Sequence, residues 1–100
     1  MTQPEKMTPS EQADFNISAE AAMDGLRLAS VDIAKYMTSH DLEEFQKKNI
    51  TDVVGGLTVQ IMALNGAMKD DDMETETKKQ LLENAEKSIA QCEKFMQAST

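Results

Sequence analysis

Apolar residues recur at steps of mostly three and four along most of this chain, and that spacing limits its fold more than any other feature. The first run is Phe15, Ala19, Ala22, Met23, Leu26, Ala29, Ile33 and Met37. The second is Ile50, Val53, Val54, Leu57, Ile61, Leu64 and Met68, and the third is Leu81, Leu82, Ala85, Ile89, Cys92, Phe95 and Met96. A step near 3.6 gathers such residues on one side of an α-helix, so the sequence predicts amphipathic helices over about 9–37, 41–66 and 72–97. Only 4 Gly and 2 Pro occur in 100 residues, too few turn formers for an all-β domain of this size. The expected fold is all-α, a small antiparallel bundle of three helices, or of four if the first breaks near Asn16. Residues 1–7 are expected to form a flexible N-terminal tail and 8–100 a single helical domain.

Local signals place the helix ends. In Thr8-Pro9-Ser10-Glu11 a hydroxyl at the N-cap, proline at the first helical position and glutamate at the third satisfy the orphan amides reciprocally. A second start is encoded inside the first run, where Ser18 could cap a helix and Ile17 could staple onto Ala22. Thr38-Ser39-His40-Asp41 interrupts the pattern with cap-type residues. Glu43 with Lys47 and Glu44 with Lys48 are spaced for ion pairs on an exposed face, each worth about 0.3 kcal/mol. Asn65-Gly66 reads as a helix stop, and Asp71 with Glu74 as a cap for the third helix. Glu74 with Lys78 and Glu83 with Lys87 are expected as pairs on its wet side.

The second run differs from the others because no charge falls between Val53 and Met68. A helix apolar around so much of its circumference belongs at the centre of a fold or in an interface. Leu57, Val59 and Ile61 also alternate with Thr58 and Gln60, which leaves a strand as the alternative, but the longer window fits the helical period better. Gly55-Gly56 weakens a helix interior, so the pair is expected to mark a close approach by a neighbouring backbone, with a kink as the alternative. Thr, Gln and Asn interrupt the segment, which is read as too short to span a bilayer.

Charge narrows the classes of function. With 18 acidic against 10 basic residues the chain carries a formal −8, and Arg27 is its sole arginine. Binding a nucleic-acid backbone draws affinity from Lys and Arg, so neither nucleic acid nor an anionic membrane is expected as a partner. A lone Cys92 forms no internal disulfide, and the N-terminal residues lack the basic start and apolar run of a signal peptide; a cytoplasmic home is expected. The core is expected to be aliphatic and adaptable, given 8 Met and no Trp.

No group of residues carries chemistry on its own. His40 stands near Asp41, Glu43 and Glu44, but no second His or Cys pair supports a metal site, and it reads as a solvated cap residue. The carboxylates from Asp70 to Glu76 alternate as in a calcium loop, yet Thr75 occupies the place of the loop's glycine and Leu81 that of its bidentate glutamate. Cys92 lies on an apolar stripe without a neighbouring positive charge to activate it. The sequence therefore predicts no enzyme, with no catalytic, cofactor-binding or metal-binding residues. What remains is surface. The expected function is a small acidic protein-interaction module of the adaptor, chaperone or inhibitor kind, self-associating or holding a protein partner, with Leu57, Ile61, Met62 and Met68 as partner-binding residues. The alternative is an acidic mimic of nucleic acid that occupies a basic groove on another protein. A bundle interior that takes up a small ligand is a third reading.

Overall fold

The computed structural model describes residues 6–98, which form three helices and, among these residues, no strand. α1 runs Pro9–Ser39, α2 Glu44–Lys69 and α3 Thr75–Ala98. The fold is the all-α three-helix bundle the spacing predicts. The run through Leu57, Val59 and Ile61 lies wholly inside α2.

α1 begins at the expected capping box. The Thr8 hydroxyl accepts from the Glu11 N–H at 3.2 Å, and the Glu11 carboxylate accepts from the Thr8 N–H at 3.0 Å. The second start inside α1 is not used and the helix does not break near Asn16. Asn16 instead accepts a 2.7 Å hydrogen bond from Gln12 one turn earlier, and Ile17 faces outward at 69% exposure while Ala22 is buried, so no staple forms between them. The hydrogen bond from Thr8 holds the Glu11 carboxyl below the usual carboxylate range. A carboxyl whose native pKa is depressed stabilises the fold above its unfolded-state pKa, about 4, and that contribution disappears as pH falls through the native value. Thr8→Ala should cost about 1 kcal/mol, seen as faster amide exchange in the first turn of α1, and acid should produce the same local fraying in the unaltered protein.

Contacts between helices show their directions. Near the start of α1, Gln12 meets Lys78 near the start of α3; further along, Gly25 meets Ile89; near the ends, the rings of Tyr36 and Phe95 meet edge to face with centroids 5.3 Å apart. α1 and α3 thus run parallel. α2 returns between them, since its last turns at Asn65 and Met68 lie beside Met23 and Arg27 while its early Ile50 lies beside Ile33. The result is an up-down-up bundle 55 Å long. Its core joins Phe15, Ala19, Leu26 and Ile33 of α1 to Ile50, Leu57 and Leu64 of α2 and Ala85 and Cys92 of α3.

Several ends and pairings differ from the sequence reading. α2 starts at Glu44 rather than 41 because the half-buried Leu42 packs against the core before the helix forms, and the Glu43 N–H is taken by the Gln46 side chain at 2.9 Å. It continues past Gly66 because Ala67 and Met68 still have core to cover, and ends where the Asp70 N–H bonds to Gly66 O. α3 starts at Thr75, after Asp70 accepts from the Asp72 N–H to close a turn. Glu83 and Lys87 pair at 3.2 Å as expected. Lys78 does not face water with Glu74: its side chain is 1% exposed, its ammonium donates to the Gln12 amide oxygen, and it lies 5.9 Å from the centre of the Phe15 ring.

The glycines reverse the expected close approach. Among the described residues, a Cβ added at Gly55, Gly56 or Gly66 meets nothing within 4 Å, whereas one at Gly25 would sit 2.8 Å from Ile89 Cδ1. The tight crossing is therefore between α1 and α3, and α2 carries helix-weakening residues, each costing about 1 kcal/mol relative to alanine, that its packing within the bundle does not require. Of the expected tail, residues 1–5 lie outside the described residues. Lys6 forms an isolated bridge with Glu74 and an ion pair with Asp72 at 3.2 Å, and Met7 packs on the core.

Candidate functional site

The bundle consumes only one side of α2. Ile50, Leu57 and Leu64 face inward, and on the opposite side Gly55, Val59, Met62 and Gly66 follow at steps of four, three and four. Val59 is 64% exposed and Met62 67%. Beside them stand only uncharged residues, Gly56, Thr58, Ala63 and Asn65, and the charges nearest along the same face are Asp52 before it and Lys69 after it. Two neighbouring exposed aliphatic side chains, on a face that carries no charge over about three turns, form an apolar strip rather than a solvated face.

The expected partner-binding residues do not share a single surface. Leu57 is 3% exposed and belongs to the core, where it forms part of the wall of a cleft. Ile61 and Met68 are half-buried against the same core, and Met68 lines a separate shallow groove with Met23 and Arg27. Met62 alone of the four stands free on the outer strip. A heptad count along α2 would have separated these faces, because Leu57 and Leu64 are one seam and Val59, Met62 and Gly66 the other. Sequence reasoning missed Val59, together with the exposed Phe45 and the outward Ile17, Leu28 and Val31 of α1.

The cleft lies between α2 and α3, with a volume of about 370 Å³. Ile33 of α1 forms part of its floor; Ile50, Val53 and Leu57 line one side, Cys92 and Phe95 the other, and Asn49, Ser88 and Gln91 bring polar groups. Gln60 also lines it, and its amide oxygen is buried without a hydrogen-bond partner among the described residues. Burial pushes the Cys92 thiol up from its usual pKa, which disfavours the thiolate nucleophile. Cys92 should therefore react with a disulfide reagent at pH 8 at least about tenfold more slowly in the native protein than after unfolding in guanidinium. Equal rates would show an accessible thiol.

The polar candidates take structural places. His40 caps the end of α1, with its ring stacked on Tyr36 at 4.0 Å and Nδ1 3.0 Å from the Tyr36 carbonyl oxygen. Among the described residues, no group of three or more His, Cys, Asp or Glu side chains is placed to hold a metal ion. By length and composition α2 is long and apolar enough to cross a membrane, a test that the core helix of a soluble protein also passes. The sequence reading considered only the uncharged stretch, whereas the observed helix has 26 residues.

Comparison with protein-family models, curated proteins and solved structures finds no match to this chain.

Proposed function

We propose that this chain is a small, acidic, non-catalytic module for protein interaction that acts in the cytoplasm and engages its partner through the outer strip of α2. The observation that carries this reading is the pair Val59 and Met62, exposed on a helix whose opposite side already supplies the core. Water around such a strip favours its burial against another apolar surface. The buried single thiol of Cys92 supports a reducing compartment. Met62→Asp should abolish association, measured by sedimentation or by retention of a partner, while the helical circular dichroism stays unchanged because the side chain contributes little to the core. Association that survives this substitution overturns the reading. Added salt separates it from the nucleic-acid mimic: an apolar contact holds at high salt, whereas a complex carried by carboxylates weakens steeply.

The orphaned Gln60 oxygen supports a second reading for the cleft. An apolar cavity of this size suits a small ring compound whose hydroxyl or amine donates to that oxygen. Phenol and indole should raise the melting temperature of the protein but not of a Gln60→Leu variant; the absence of any shift counts against it.

A further inference from the structure

We propose that the partner of the α2 strip is a second copy of the chain, with the two α2 helices packed antiparallel about a two-fold axis that passes between Gln60 and Ile61. This rests on the reading of α2 as an interaction surface and names what covers it.

The strip extends in both directions with unbroken spacing. Asp52, Gly55, Val59, Met62, Gly66 and Lys69 follow at steps of three, four, three, four and three, the alternation that keeps a seam facing another helix. The seam spans about five turns, roughly 25 Å. A two-fold axis at its middle sets each residue opposite the one equally far on the other side. Val59 then meets the partner's Met62, Gly55 meets the partner's Gly66, and Asp52 meets the partner's Lys69, with every pair occurring twice. Apolar faces apolar, small faces small, and acid faces base. A parallel arrangement would instead set Asp52 against the partner's Asp52 and Lys69 against the partner's Lys69, so the end charges select the antiparallel orientation.

Two further observations favour this occupant. Gly55 and Gly66 face open space in the single chain, and α2 has no positive-φ glycine, so neither packing nor backbone conformation within the bundle calls for them. Close approach of a second helix over each end of the seam does. The other exposed stripe at the same spacing, Asp24, Leu28, Val31 and Lys35 on α1, can be matched about a two-fold in the same way, but its Asp24 is already engaged by Arg27 at 2.9 Å and the one glycine of α1, Gly25, is filled by Ile89 rather than open. Although each chain carries −8, the α2 seam itself is neutral, with one acid and one base. Repulsion between the whole chains is therefore not concentrated where they meet.

Sedimentation of the full chain at concentrations up to about 1 mM should show a dimer, and Met62→Asp should leave a folded monomer. Asp52→Lys and Lys69→Asp should each weaken the dimer about tenfold or more, and their combination in one chain should restore it. Val59→Cys protein mixed with Met62→Cys protein should form the mixed disulfide faster than either forms a disulfide with itself. A monomer throughout the range, a dimer that the combined charge exchange leaves weakened, or preferential like-with-like disulfides overturns the proposal. A monomer that retains another protein, or binds neutral phosphatidylcholine vesicles, through Met62 also overturns it. In the protein case the interaction reading survives; where Met62→Asp alters no association of any kind, both fall.

Discussion

Leu26→Ala should remove about 2–5 kcal/mol of folding stability, a large part of the roughly 5–15 kcal/mol available to a domain of this size. Leu26 is completely buried near the middle of α1, the helix that packs most extensively against the other two. Immediately before it Gly25 lets α3 approach so closely that Ile89 occupies the space of a side chain. Close packing on that side leaves little room for neighbouring atoms to collapse into the space vacated by the leucine, so the cost combines lost transfer energy with a residual cavity. Urea unfolding followed by circular dichroism should show a lower midpoint with an unchanged slope. A loss below about 1 kcal/mol would show a core loose enough to refill the site.

The second large effect is expected at Lys78, where charge and shape separate. Its methylene stem fills space between α1 and α3, and its ammonium has the neutral Gln12 amide and the face of Phe15 as neighbours. Neither supplies the full negative charge that makes ion burial favourable, although the ring face and the amide oxygen both attract the cation. Lys78→Ala removes the stem and should cost about 2–4 kcal/mol. Lys78→Met keeps a stem of similar length and discards the charge, so its stability should lie within about 1 kcal/mol of the unaltered protein. If methionine proves as damaging as alanine, the hydrogen bond to Gln12 rather than the stem stabilises the junction of the helices.

The same residue shows where the sequence becomes ambiguous. Glu74 and Lys78 have the spacing of a surface pair, as do Glu83 and Lys87, and only the second pair forms. Local spacing was identical; the difference lies in what stands opposite. Gln12 and Phe15, 66 and 63 positions earlier in the chain, turn one lysine inward, and no periodicity within α3 carries that information. The start of α1 was legible because Thr8 and Glu11 are the N-cap and third residue of a single first turn. The end of α2 was not, because Gly66 weakens a helix locally while Ala67 and Met68 extend it by covering core on other elements. The candidate site divides in the same way: Met62 stands on the free strip, whereas Leu57, named with it from the same uncharged run, turns into the core.

Taken alone, the order of residues determined three helices, the apolar stripe that α1 hides and the cap that opens it, because those features depend on hydrogen bonds and contacts a few positions apart. Tertiary structure decided which glycine is crowded, which lysine is buried and which side of α2 stays uncovered. Those outcomes depend on how helices far apart in sequence are rotated against one another, and a helix with apolar residues on two sides can satisfy its local preferences in more than one rotation. Packing against α1 and α3 selects one, and the side it leaves over is the surface proposed to meet a second chain.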